Sequence, residues 1–136
     1  MFTIEYKGAR LSGPTERAVR ARITALEAAD GRRGRWPADA REAMGVLGAL
    51  FPTLRTAPGV APWEPERLIR WLNGPAPGSG AKWAGRFLLS VWNSETDWTE
   101  LGLAAPGRFE VFRAMASWDE EHVAAMKAWI DAPFWP

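Results

Sequence analysis

The chain has 136 residues, 47% hydrophobic and 24% charged, the size and balance of one globular domain rather than of a disordered segment. It contains no cysteine, so disulfide frameworks, thiol catalysis and thiolate metal sites are excluded. Its net charge of +1 hides a polarity.

Lys7, Arg10, Arg17, Arg20, Arg22, Arg32, Arg33 and Arg35 crowd the N-terminal stretch, whereas Glu95, Asp97, Glu100, Glu110, Asp119, Glu120, Glu121 and Asp131 tilt the later chain toward acid. Such a split steers an acidic partner to one end, or draws the two ends together within one fold. Met1 to Tyr6 lacks the charged-then-apolar build of a signal peptide. No apolar run approaches the ~18 to 20 residues of a membrane span. The expected location is therefore the cytoplasm. An excess of arginine over lysine, with much alanine, glycine and proline, points to a GC-rich bacterial coding sequence.

In chain order, Phe2, Ile4 and Tyr6 alternate with Thr3 and Glu5, which predicts a short strand. Lys7-Gly8 can turn it into a small hairpin with Ala9 to Leu11. Pro14 opens a helix to about Ala29, with Val19, Ile23 and Leu26 as its stripe and Asp30-Gly31 as its stop. Gly31 to Arg35 reads as a basic loop. Pro37 suits a first helical position, and its helix runs to about Phe51 before Pro52. Ala40, Met44, Leu47 and Phe51 form one face, widened by Ala43, Val46 and Leu50. Gly45 and Gly48 each lower helix propensity by roughly 1 kcal/mol, so close packing against a neighbour is expected there.

Thr53 to Pro62 reads as a loop, and Pro65 opens a short helix that stops at Gly74. Pro75 to Gly80 is a linker. The helix from Ala81 to Trp92 is apolar around most of its circumference, which predicts a central, buried position. Ser94 with Asp97 resembles a capping box ahead of a brief helix through Trp98 and Leu101, ended by Gly102. Phe109, Phe112 and Met115 mark another short helix. Ser117-Trp118-Asp119-Glu120 is a full capping-box pattern for a last helix with Val123, Met126, Trp129 and Ile130 inward. Pro133 ends it, and the tail Ala132 to Pro136 is expected to fold back onto the core. The fold class read from this pattern is mainly α: one irregular bundle of six to seven short helices with a small N-terminal β-hairpin or strand, as a single domain over 1–136.

Sites are weighed against packing. Gly74 to Lys82 lacks the spacing, the hydroxyl residue and the preceding strand of a phosphate loop. His122, the single histidine, is expected half-buried at the edge of the last helix, without a partner group or cleft for acid-base work. Glu95, Asp97 and Glu100 beside Asn93 and Ser94 offer hard-metal ligands but not the spacing of a calcium loop, so capping and solvation explain them. Among the nine tryptophans, helical spacing assigns Trp83, Trp92, Trp98 and Trp129 to the core. Trp36, Trp63 and Trp135 adjoin prolines at element boundaries and are expected to pack over loop ends. Arg32, Arg33, Arg35 and Trp36 carry the groups for phosphate contact and stacking, and form the one candidate nucleic-acid or partner-binding set.

No catalytic residue, metal site or cofactor follows from these patterns. The expected function is a small non-enzymatic interaction or accessory protein that docks on a protein partner. A nucleic-acid-associated protein using the arginine-rich N-terminal region is the first alternative, and an enzyme with a carboxylate-based site the second.

Overall fold

The computed structural model describes the backbone of residues 1–33 and 36–136, and the side chains of residues 1–24 and 36–136. They fall into two compact units, Met1–Arg35 and Trp36–Pro136. The fold is mainly α: six α-helices among the described residues follow a two-stranded antiparallel hairpin.

In the first unit, β1 (Phe2–Tyr6) pairs with β2 (Ala9–Gly13) in a register that sets Phe2 opposite Gly13 and Tyr6 opposite Ala9. The turn is Lys7-Gly8, both with positive φ (49° and 80°), the two-residue geometry whose twist matches that of the strands. Helix α1 (Glu16–Arg33) starts where the Thr15 hydroxyl accepts the Ala18 N–H at 3.1 Å. Val19 is fully buried on it. The expected stop at Asp30-Gly31 does not occur. A glycine ends a helix by entering the left-handed region, and Gly31 instead stays helical, so α1 runs on to Arg33.

In the second unit, α2 (Ala40–Ala49) begins at Asp39, whose carboxylate accepts the Glu42 N–H, and not at Pro37. A charged cap that satisfies an orphan donor outweighs the preset φ of a proline. After a 3₁₀ turn (Pro52–Leu54) come α3 (Pro65–Leu72), with proline at its first position, and α4 (Ser79–Trp92). A second 3₁₀ turn (Trp98–Leu101) ends in left-handed Gly102, and α5 (Val111–Ser117) and α6 (Glu120–Asp131) follow.

Helix α4 is the centre, touching α2, α3, α5 and the first 3₁₀ turn. Ala84, Leu88 and Leu89 are completely buried on it. Neighbouring segments come close where the sequence places glycine. A Cβ on Gly85 would stand 2.6 Å from both Leu72 methyls, and one on Gly48 would collide with Val60. Phe87 lies 5.3 to 6.5 Å, ring to ring, from Phe51, Phe109, Trp118 and Trp129, giving the core a large aromatic cluster. Arg86 is buried too, with its guanidinium donating to the carbonyls of Lys82, Ala104 and Pro106. Burial, and then the charge of Arg113, holds it below the ordinary arginine range.

Several expected facings differ. Phe112 is 88% exposed, and Met115 and Ile130 also face outward. Helix α5 has two turns and buries only Ala114, so most of its apolar residues find no neighbour to cover them. Val46 and Leu50 widen α2's apolar face outward, not inward. Ser94 is not a cap; the second 3₁₀ turn is capped by Asp97, which accepts the N–H and hydroxyl of Thr99. Ser117 bonds back to carbonyls of α5, and Asp119 caps α6 instead. In both cases a carboxylate nearer the turn takes the donors. The linker is also shorter than expected, since α4 starts at Ser79 after an N-cap glycine, Gly78.

Candidate functional site

The basic set from the sequence begins in a helix and not in a loop. Arg32 and Arg33 lie in the last turn of α1, their side chains are outside the described residues, and Arg35 is outside them altogether. Trp36 is committed to packing. Its indole N–H donates to the Ala132 carbonyl at 2.7 Å, and its ring lies 5.2 Å from that of Phe134. The tail therefore docks through Phe134, whose carbonyl also accepts the Trp129 indole N–H. Trp135 leans edge-on against Trp129 yet remains 71% exposed, short of full packing.

The other tryptophans are mostly interior. Trp63, Trp83, Trp98 and Trp118 are buried, and Trp36, Trp71, Trp92 and Trp129 pack partly buried against the core. The indole N–H groups of Trp63 and Trp98 are buried without a hydrogen-bond partner, which few native donors are.

Trp63 also floors an open apolar groove of about 490 Å³. Its walls are the outer face of α2, through Gly45, Val46 and Ala49, and the segment Ala61-Pro62-Trp63. Two charges flank it. Arg41 is already engaged, donating to the Trp63 carbonyl at 2.8 Å with its guanidinium 5.5 Å from the Trp92 ring. The Glu42 carboxylate has no ion-pair partner among the described residues.

His122 is the largest departure from the sequence reading. It is 4% exposed rather than half-buried, and it has partners on both ring nitrogens. Nδ1 lies 2.7 Å from Asp119 Oδ1, and Nε2 lies 2.8 Å from the hydroxyl of Thr53. Asp119 sits three positions earlier as the cap of α6, while Thr53, on the first 3₁₀ turn, is 69 positions away. The ring packs against Trp118 and Phe51. The neighbouring acids Glu120 and Glu121 are not its partners; Glu121 pairs with Arg55 at 3.5 Å.

Asp119 is held below the ordinary carboxylate range, first by the backbone N–H of His122 and then by its ring. An ionised carboxylate only accepts. Nδ1 therefore carries a proton toward Asp119, and in the tautomer this selects Nε2 can accept from the Thr53 hydroxyl. No signal near Thr53 in the sequence foretells this; the i, i+3 spacing of Asp119 and His122 was the legible half.

The remaining candidates resolve into local structure. Asp97 is held low by the hydroxyl and N–H of Thr99, Asn93 accepts the Glu95 N–H, and Arg108 donates to the Ser94 carbonyl. Among the described residues no three His, Asp or Glu side chains group as a metal site. The stretch resembling a phosphate loop follows a helix, α3, and not a strand. No helix among them is long and apolar enough to cross a membrane. No family model matches the chain, and neither a curated protein nor a solved structure matches it.

Proposed function

We propose that this chain is an interaction module that docks on a protein partner through the groove between α2 and Ala61–Trp63. The observation that carries it is an open, almost wholly apolar surface with Val46, 42% exposed, on its wall. Contiguous exposed apolar surface rimmed by charge is the usual mark of an interaction site. The occupant that fits is an amphipathic helix of the partner. Its apolar side chains fill the groove over Trp63, and a lysine or arginine at its end meets the Glu42 carboxylate, which has no ion-pair partner among the described residues.

The test places a photo-crosslinking residue at position 46 in the native host, identifies the adduct, and synthesises the crosslinked segment as a peptide. The peptide should be an amphipathic helix with a basic end. Val46→Asp should weaken its binding by about tenfold or more without unfolding an exposed site. A peptide that binds Val46→Asp as well as the wild type overturns the reading.

A further inference from the structure

We propose that Thr53, His122 and Asp119 form an acyl-accepting site, with the Thr53 hydroxyl as nucleophile, His122 as base and Asp119 as positioning residue, acting on small esters. This goes beyond docking and uses other elements, α6 and the first 3₁₀ turn. A hydroxyl is a weak nucleophile until an adjacent base takes its proton, and the base works only when a third group fixes its tautomer. Both requirements are met in the geometry: 2.8 Å from hydroxyl to Nε2, and 2.7 Å from Nδ1 to the carboxylate.

Two surroundings favour the same use. Thr53 is exposed while the ring behind it is buried, so the nucleophile faces solvent and the base is held rigidly. Arg55 and Glu121, two residues from Thr53 and next to His122 in the chain, neutralise one another in an ion pair at 3.5 Å.

In the step, the Thr53 oxygen attacks the ester carbonyl carbon as its proton passes to Nε2. The carbonyl–oxygen bond to the leaving alcohol breaks, and Nε2 returns the proton to that oxygen, leaving the acyl group on Thr53. Water then attacks the acyl carbon, giving its proton to Nε2, and the Thr53 oxygen departs and regains a proton from Nε2. The balance is ester plus water to acid plus alcohol.

The test uses the full chain with 4-nitrophenyl acetate, peptide mapping by mass spectrometry, and nitrogen NMR of the single imidazole. Acetyl should appear on the hydroxyl at position 53 in the wild type and in Thr53→Ser. Thr53→Val should lower ester cleavage by about 10²-fold or more, the usual scale of base assistance. The NMR spectrum should show the proton on Nδ1 alone in the wild type and mixed tautomers in Asp119→Ala, with slower acetylation of Thr53. Acetyl confined to lysines and the N-terminus overturns the proposal, as does a Thr53→Val protein that melts normally and cleaves at the wild-type rate. A wild-type imidazole protonated on Nε2 overturns it independently, because Thr53 would then accept rather than donate.

Discussion

The indole N–H of Trp36 donates to the carbonyl of Ala132 at 2.7 Å, tying the first residue of the helical unit to the end of its last helix. Ala132 is fully buried, so its carbonyl has no ready access to replacement water. Trp36→Phe keeps a ring against Phe134 and loses only the bond. Leaving a buried acceptor unpaired costs about 1 to 3 kcal/mol. Deleting residues 133–136 removes the Phe134 ring instead and should also lower the melting temperature. A deletion that leaves the thermal melt unchanged would mean that the tail contributes nothing to stability.

Two phenylalanines should respond oppositely to truncation. Phe87 is 6% exposed and ringed by four aromatic neighbours, so Phe87→Ala should cost about 3 to 5 kcal/mol in urea unfolding. Phe112, nearly all in solvent, should cost within about 0.5 kcal/mol. Equal losses at both sites would contradict the placement of α5.

Gly78, the cap of α4, and Gly85, about two turns into it, should also respond differently. At Gly85 an added methyl meets the whole isobutyl group of buried Leu72, so Gly85→Ala should cost about 1 to 3 kcal/mol. Gly78 meets nothing within 4 Å, has an ordinary φ of −80°, and leaves α4 without a side-chain cap. Gly78→Ser should therefore stabilise by a few tenths of a kcal/mol, read as a rise in the urea midpoint at constant slope.

Acid should weaken the fold through Asp119. Its folded carboxyl titrates below the unfolded value near ~3.9. A depressed carboxylate contributes stability that is fully present above the unfolded value and fades as pH falls through the folded one. Unfolding measured from pH ~5 downward should show that loss in the wild type, and Asp119→Ala should flatten it. An identical acid slope in the two proteins would show that the bonds to His122 do not favour the ionised form.

Much of the architecture was legible in the residue pattern, because local chemistry specifies it. Alternation at Phe2, Ile4 and Tyr6 with Lys7-Gly8 gives the hairpin, and the all-round apolarity of Trp83 to Trp92 gives the buried central helix. Gly48 and Gly102 announced a close approach and a helix stop, since each position needs the room or the left-handed backbone that glycine allows. Helix starts were less legible: Asp39, Asp97 and Asp119 each compete with a nearby proline or serine, and hydrogen-bond geometry decides between them.

What covers an apolar residue is not written in its own segment. Phe112 and Ile130 follow helical spacing as well as Met126 does, yet only Met126 meets a neighbour. The groove over Trp63 arises from α2 facing Ala61–Trp63, and the hydroxyl on His122 comes from a turn 69 positions away. The sequence by itself determined the hairpin, the helix content and the central helix, because those follow from periodicity and turn chemistry within a few residues. Only the tertiary structure decided which faces meet and which polar groups pair, because packing sets distances between segments that carry no local record of one another.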